Sequence, residues 1–305
     1  MTTTIRQSMN FQDWWRLIAL SILWGGSFFF VGIAVKALTP LTIVLIRLSL
    51  AALMLWVVVR LLNVPLPATI KAWFALLVMG ILNNVIPFSL IVWGQTHIES
   101  GLASIFNAMT PLFTVLVAGM LLVDERISRA KIIGVLLGIS GAAVMVGADA
   151  IRGMSTDVLA QLAVMGAAVS YGFSTVWGRR FKTLGLNPIA VAAGQVTLSA
   201  VILAPLAFII EKPLTQAMPG TQVWAALIAL AVFSTALAYI LFFRVLASAG
   251  ATNVSLVTFL VPVSAILLGF VFLGERLELT HFAGMLLIAL GLSAIDGRLW
   301  RKTPA

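Results

Sequence analysis

Long apolar stretches alternate with short polar segments along the whole chain. A helix needs about 17 to 25 mostly apolar residues to cross the roughly 30 Å hydrocarbon core of a bilayer. Ten stretches meet this requirement, and the predicted spans are 14–35, 41–62, 72–94, 100–122, 130–148, 158–178, 188–210, 222–246, 252–273 and 280–296. Because only short loops remain between them, the pattern predicts an all-α membrane protein with ten transmembrane helices and no soluble domain.

The composition agrees with this interpretation. Hydrophobic residues make up 61% of the 305 residues and charged residues 10%, whereas about a quarter of an ordinary soluble domain is charged. The net charge of +9 does not indicate nucleic-acid binding, since the basic residues neither cluster on a soluble domain nor alternate with aromatic residues. The chain has no cysteine, which leaves no disulfide, thiol nucleophile or cysteine-based metal site.

The basic residues predict the orientation. The first sixteen residues lack a signal-peptide cleavage pattern, so the first span is expected to be retained. With both termini in the cytoplasm of a bacterial cell, the inner side holds Arg6, Arg16, Arg60, Lys71, Arg126, Arg129, Lys131, Arg179, Arg180, Lys182, Arg244, Arg298, Arg301 and Lys302. The outer side holds only Lys36, Arg152, Lys212 and Arg276. This asymmetry follows the positive-inside rule for an inner-membrane protein.

The two halves of the sequence resemble each other, which divides the chain into repeats at 1–149 and 150–305. The matches are Trp73 with Trp224, Pro111 with Pro262, Asp124-Glu125-Arg126 with Gly274-Glu275-Arg276, Gly134 and Gly141 with Gly284 and Gly291, and Trp24-Gly25-x-Ser27 with Tyr171-Gly172-x-Ser174. Five spans per repeat would give the second copy the opposite orientation. Inverted repeats are typical of secondary transporters, whose substrate sites lie near the bilayer midplane where the repeats meet.

The segment 250–277, GATNVSLVTFLVPVSAILLGFVFLGERL, and its partner 100–127, SGLASIFNAMTPLFTVLVAGMLLVDERI, resemble the repeat signature of the drug/metabolite transporter superfamily. The EamA-type branch fits best, and within it the chain is similar to bacterial amino-acid exporters of the YddG type. The resemblance covers essentially the whole chain. It implies a ten-helix transporter that works by alternating access around a central cavity.

Prolines in spans four and nine point to one candidate surface. Proline removes a backbone hydrogen bond, so Pro111 and Pro262 should free the carbonyl groups of Asn107 and Thr258. Polar groups at this depth are tolerated only against protein or in a water-filled cavity. The candidate binding residues on these faces are Ser104, Asn107, Ser255 and Thr258. Interhelical packing by small polar residues is the alternative.

Two adjacent amides occupy the middle of the third span. Asn83 and Asn84 precede Pro87 there, and the corresponding part of span eight carries Ser234, Thr235 and Tyr239. These amides are expected to bind substrate or, alternatively, to join helices. The repeat also places Trp24 and Ser27 in correspondence with Tyr171 and Ser174, an arrangement that suits a solute with an apolar body and a polar head; packing or lipid contact is the alternative.

Arg47 is the one basic residue within a span, near its outer end. It is expected to bind a substrate carboxylate, or else to reach the outer headgroups or a helix C-terminus. The glycines at 134, 138 and 141 predict close helix packing, with a homodimer as a further expectation.

Missing motifs narrow the function. The sequence has neither a phosphate-binding loop nor a His-Glu-x-x-His motif, and His97 and His281 lie at span ends, so ATP-driven pumping, cofactors and metals are not expected. A membrane-embedded enzyme would need a nucleophile with a nearby base. All acidic residues fall in tails, loops or span ends, which disfavours lipophilic cations and intramembrane proton relays. The sequence therefore predicts export of small neutral or zwitterionic metabolites, such as amino acids, including aromatic ones, with another small metabolite or drug as the alternative.

Overall fold

The computed structural model describes residues 10–125, 128–147 and 155–296. Within these ranges the chain forms helices and no strands. Among the described residues, nine helices are long and apolar enough to cross a membrane, and Val257–Leu273 is a shorter apolar helix. We number them α1 (Phe11–Ala34), α2 (Pro40–Leu61), α3 (Ile70–Gly94), α4 (Ser100–Leu121), α5 (Arg129–Val146), α6 (Thr156–Thr183), α7 (Pro188–Ile210), α8 (Thr221–Leu246), α9 (Val257–Leu273) and α10 (Leu279–Asp296). This architecture confirms the expected all-helical, multi-pass membrane fold.

Short polar residues and prolines set the helix starts. Asn10 accepts a hydrogen bond from the Asp13 backbone amide at 2.8 Å and so caps α1. Thr69, Ser128 and Ser155 cap α3, α5 and α6 in the same way. Such side chains satisfy backbone amides that have no partner within the helix. Proline occupies the first turn of α2 and α7, where its missing amide hydrogen carries no penalty.

Several helices are interrupted. In α3 a π-helical turn, Ile81–Val85, separates Ile70–Gly80 from Ile86–Gly94. In α8 a second π-helical turn, Val232–Leu237, follows Thr221–Ala231. The next segment, Ala238–Val254, continues beyond the end of α8 at Leu246 and bends at Gly250, whose φ is 80°. The two turns fall at matching positions of the sequence repeat. A π turn widens the helix by one residue and is frequent at functional sites.

Helices α4 and α9 each consist of two pieces as well. Helix α4 comprises Ser100–Asn107 and Thr110–Leu121, and Pro111 lies in the first turn of its second piece. The Asn107 carbonyl, expected to be free, accepts a hydrogen bond from the Thr110 hydroxyl at 2.7 Å. Helix α9 comprises Val257–Leu268 and a π-helical turn, Gly269–Leu273.

Helices of the first half of the chain pack mainly against helices of the second half. Helix α1 of the first half packs against α9, and the corresponding α6 of the second half packs against α4. Large contacts also join α3 to α6, α2 to α7 and α5 to α10, and the last two of these pairs are corresponding helices. Each half therefore completes the core of the other.

The glycine stripe forms the contact between α5 and α10. A Cβ atom on Gly134 would lie 2.5 Å from the Gly291 carbonyl oxygen, and one on Gly141 would lie 2.6 Å from that of Gly284. The stripe is thus occupied within one chain, so it cannot serve as the face of a homodimer. The homodimer itself stays a prediction.

The two ends of the bundle carry different charges. One end, which we call the acidic end, holds the loops with Glu99, Glu211, Glu275 and Glu278. The opposite end, which we call the basic end, holds Arg179, Arg180 and Lys182 together with Lys131. The cations Arg6, Arg126, Arg152, Arg298, Arg301 and Lys302 lie outside the described residues. Among the described residues, the acidic side chains lie at these ends, as the sequence predicts.

Candidate functional site

The π turn of α3 places Asn84 at the centre of a buried polar network. Asn84 has no exposed surface. Its Nδ2 atom donates to Ser199 Oγ of α7 at 3.1 Å, and its Oδ1 atom accepts from the Tyr239 hydroxyl of α8 at 3.0 Å. Both functional groups of this amide are therefore satisfied by the second half of the chain.

Asn83 extends the network to a third helix of the second half. Its Nδ2 atom donates to the Tyr239 hydroxyl at 2.9 Å and to Gln195 Oε1 of α7 at 3.4 Å. Its Oδ1 atom accepts from Ser174 Oγ of α6 at 3.2 Å. Tyr239 consequently accepts from one asparagine while it donates to the next, which links α3, α6, α7 and α8 through two adjacent residues.

Arg47 lies beside this network and is buried, with 6% of its surface exposed. Its Nε atom donates to Thr235 Oγ1 in the π turn of α8 at 2.9 Å, and its guanidinium carbon lies 3.7 Å from the centre of the Phe88 ring. The hydroxyl groups of Tyr171 and Tyr239 lie close enough to interact with it electrostatically. The alternative that Arg47 reaches the outer headgroups is therefore wrong, because its side chain points into the bundle.

No carboxylate neutralises Arg47 within the part of the chain that the structure describes. A buried cation without a counter-ion is costly, and stacking on Phe88 compensates only part of the lost hydration. The planar guanidinium group can bind a carboxylate by donating two parallel hydrogen bonds to it. The site therefore places a guanidinium group, which has no carboxylate partner among the described residues, beside two asparagines; binding of a substrate there stays a prediction.

Aromatic rings border the network on the side of the basic end. The ring of Tyr239 stacks on Phe243 at 6.3 Å, Phe243 contacts Phe242 at 5.3 Å, and Phe242 contacts Trp24 of α1 at 5.7 Å. Trp24 is half-buried and packs against the core, so it is not a lipid anchor. Ser27 lies one turn further along α1 and is also half-buried. These rings could hold the apolar part of a solute.

Four candidate residues lie outside this network. Ser104 is buried and donates to the Gly101 carbonyl of its own helix at 2.6 Å, and Thr258 donates to the Ser255 carbonyl at 2.7 Å. Ser255 is exposed. Asn107 Oδ1 is buried without a hydrogen-bond partner among the described residues. The α4 and α9 faces are thus separate from the α3–α8 network, and their part in binding stays a prediction.

Sequence reasoning missed several members of the network. Gln195 and Ser199 are almost completely buried on α7, and the Phe88 ring stacks on Arg47. Thr235, which the sequence repeat pairs with Asn84, accepts a hydrogen bond from Arg47. Gln195 and Ser199 lie four residues apart on one face of α7. This spacing of polar residues in an apolar span was the available signal.

Two surface cavities lie at the ends of the bundle. The one at the acidic end has a volume of about 310 Å³ and is lined by Lys36, Gln95, Ser100 and Glu275 among others. The other, of about 460 Å³, is lined mainly by apolar residues of α2, the start of α7 and α8, and its lining includes Phe243 and Arg244. Because Phe243 stacks on Tyr239, the second cavity adjoins the aromatic border of the network.

The family model and the sequence relatives that match this chain all describe transporters. The sequence model described as the EamA-like transporter family matches residues 14–147 and 158–295, one match in each half. A relative from Bacillus subtilis (strain 168), the uncharacterized transporter YvbV, is 29% identical, over 92% of this chain and 90% of the relative. The uncharacterized inner membrane transporter YedA of Escherichia coli (strain K12) is 26% identical, over 94% of this chain and 92% of its own.

A solved crystal structure has the same fold. It aligns with a TM-score of 0.69 at 20% sequence identity and covers 96% of this chain and 99% of that chain. At this identity the likeness concerns the fold alone. The names of the sequence relatives indicate transporters rather than enzymes.

Proposed function

Because the chain belongs to the EamA-like transporter family, we propose that it exports small neutral or zwitterionic metabolites, amino acids including aromatic ones, across the inner membrane. The observation that carries the choice of substrate is Arg47, a buried guanidinium group without a carboxylate partner among the described residues. A substrate carboxylate would provide this missing charge. The carbonyl oxygens of Asn83 and Asn84 would then accept from the substrate amino group, and the rings from Tyr239 to Trp24 would contact its apolar part.

The transport cycle is alternating access between two inverted five-helix repeats. Two observations support it: the packing of the halves against each other and the matching π turns in α3 and α8. The network joins the repeats directly, since the amides of α3 bond to α6, α7 and α8. A relative movement of the halves therefore rearranges the site itself, as expected where repeats meet around a binding site.

The proposed orientation places the basic end and both termini in the cytoplasm, following the positive-inside rule. Reporter fusions after Arg180 and after Lys302 should both give a cytoplasmic signal. A periplasmic signal at the C-terminus would contradict ten spans and with them the inverted repeat.

The substrate is tested by uptake of labelled solutes into proteoliposomes. We expect an amino acid to be transported and its amide, which lacks the carboxylate, to be a poor substrate. Arg47→Gln should remove this preference, whereas Arg60→Gln, at the exposed end of the same helix, should keep it. Equal transport of the acid and the amide by the unmodified protein would contradict the role of Arg47.

A further inference from the structure

A carboxylate from the second half caps a helix of the first half at the acidic end. Glu275, in the loop between α9 and α10, accepts hydrogen bonds from the backbone amides of Ser100 at 2.9 Å and Gly101 at 3.0 Å. These amides begin α4 and have no partner within that helix. The negative charge also lies at the positive end of the helix dipole. Glu275 therefore joins the two halves by a pair of charge-assisted hydrogen bonds.

The residues around Glu275 leave space for its carboxylate group. A Cβ atom on Gly269 would lie 2.3 Å from Glu275 Oε2, so only glycine leaves room for the carboxylate there. In the opposite direction, Glu99 Oε1 accepts from the backbone amide of Arg276 at 3.3 Å. The loop before α4 and the loop after α9 are thus bound to each other twice.

A second carboxylate makes the same kind of contact nearby. Glu211, at the end of α7, accepts from the backbone amides of Leu41 at 2.9 Å and Thr42 at 2.8 Å, the start of α2. Gln216 reinforces this contact by donating to Thr39 Oγ1 at 2.7 Å. At the acidic end, two carboxylates of the second half are therefore held on helix starts of the first half.

The basic end is joined differently. Arg179 of α6 pairs with Asp124 at 2.8 Å and Glu125 at 2.7 Å, and these are the residues that the repeat aligns with Gly274 and Glu275. These side chains are exposed to a third or more of their surface. Exposed ion pairs contribute little to stability, whereas hydrogen bonds from backbone amides to a partly buried carboxylate contribute more. A third contact at this end is buried: Ser248 Oγ donates to Asp13 Oδ1 at 2.7 Å, and only 1% of Asp13 is exposed. The two ends are therefore joined by different groups, carboxylates held on backbone amides at the acidic end and pairs of side chains at the basic end.

We propose that Glu275 is the gating residue of the acidic end: its carboxylate closes the substrate path there while it caps α4, and its release opens that end. The inference rests on the proposed transport function, which it extends by naming the contact that must break in each cycle. Release is reversible because both the carboxylate and the freed amides can be hydrated once the end opens.

Spin-label distances test this gate without any substrate. The chain has no cysteine, so His97→Cys and Leu279→Cys place two labels, one on each side of the Glu275 contact, in the full-length protein in lipid nanodiscs. Pulsed electron paramagnetic resonance then measures the distance between them. We expect Glu275→Gln to increase the population with the longer distance by roughly tenfold, since a charged hydrogen-bonding pair is lost.

Two further variants make the outcome decisive. Gly269→Ala displaces the Glu275 carboxylate without removing its charge and should produce the same longer distance. Glu278→Gln removes a neighbouring exposed carboxylate that accepts from the Thr280 hydroxyl at the start of α10 and caps no helix of the first half, and should leave the distances as in the parent protein. An unchanged distance in both Glu275→Gln and Gly269→Ala would overturn the proposal, as would an equal change in Glu278→Gln. Opening without transport of any tested solute would support the gate and contradict the proposed substrate instead.

Discussion

The hydroxyl group of Tyr239 lies 3.0 Å from Asn84 Oδ1, so a phenol of the second half satisfies an amide at the centre of the first. The same hydroxyl accepts from Asn83 at 2.9 Å. Removing it would leave the buried Asn84 Oδ1 atom without a partner and Asn83 Nδ2 with only its 3.4 Å bond to Gln195, and this is more costly than the loss of an exposed hydrogen bond.

Tyr239→Phe should therefore destabilise the protein by about 1 to 3 kcal/mol. Thermal unfolding in detergent measures the effect. Tyr171→Phe is the matched control, since no hydrogen bond of the Tyr171 hydroxyl to the described residues is found, and it should unfold close to the parent temperature. Equal loss in both variants would mean that the phenol of Tyr239 contributes only through packing.

Arg47→Lys should reduce the apparent affinity for a carboxylate substrate by roughly 10- to 100-fold while retaining the positive charge. An ammonium group cannot form two parallel hydrogen bonds with a carboxylate or stack on Phe88 as guanidinium does. Concentration dependence of proteoliposome uptake checks this, with Arg60→Lys as the control. Unchanged affinity would assign Arg47 to helix packing through Thr235.

Asn83→Ala should lower the apparent affinity by up to roughly tenfold, the effect of losing one neutral hydrogen bond, with protein abundance near normal. Asn107→Ala and Thr258→Ala are expected to lower transport as well if the faces of α4 and α9 line the path. Initial rates at equal protein amounts separate these cases. Parent-like kinetics in the last two would restrict the site to the α3–α8 network.

Much of the fold could be predicted because it follows from hydrophobicity alone. The predicted span 41–62 corresponds to α2, Pro40–Leu61, since the bilayer fixes the length of an apolar helix. The π turns could not be predicted equally well. Pro87 signals the first, but no proline lies within the second, Val232–Leu237, where the Thr235 hydroxyl bonds to the Leu230 carbonyl five residues earlier.

Part of the candidate site could be predicted because polar residues are rare within an apolar span. Asn83, Asn84 and Tyr239 stood out because amides and a phenol are unusual in mid-span, and the repeat paired their segments. Gln195 and Ser199 lie on a helix without such a pairing, and their role depends on which face of α7 meets α3. That face is decided by packing between distant helices, which local sequence does not encode.

Gly134→Ala should destabilise the contact between α5 and α10 by about 1 to 3 kcal/mol, the usual cost of overpacking. The added Cβ would lie 2.5 Å from the Gly291 carbonyl oxygen, and backbone atoms cannot move aside as a side chain can. Thermal unfolding measures this. Gly220→Ala is the control, since a Cβ there meets nothing within 4 Å; similar losses in both would exclude close packing as the cause.

Glu99 should make stability depend on pH in mildly acidic solution. Burial raises the pKa of its carboxyl group above the ordinary 4.5, and the charges of Glu275 and Glu278 raise it further, against the lowering effect of the Arg276 amide. Since the folded state binds the proton more tightly, its stabilisation is complete below the ordinary value and is lost as pH rises through the folded pKa.

The melting temperature of the parent protein should accordingly fall relative to that of Glu99→Gln as pH rises from about 4.5. Asp157→Asn, which removes an exposed carboxyl group at the start of α6, should follow the parent. A constant difference between the parent and Glu99→Gln across this range would contradict the assignment.

In the proposed binding site, the hydrogen bonds around Asn83 and Asn84 would also limit which solutes can bind. Every incoming molecule competes with Tyr239, Ser174 and Ser199 for partners that are already paired, so it gains only the difference between the new bonds and the old. A solute with too few donors and acceptors would leave the amide groups without hydrogen-bond partners and would not bind. A solute that replaces every hydrogen bond would still bind weakly. Weak retention would favour quick release, which agrees better with the proposed export of abundant compounds than with uptake of scarce ones.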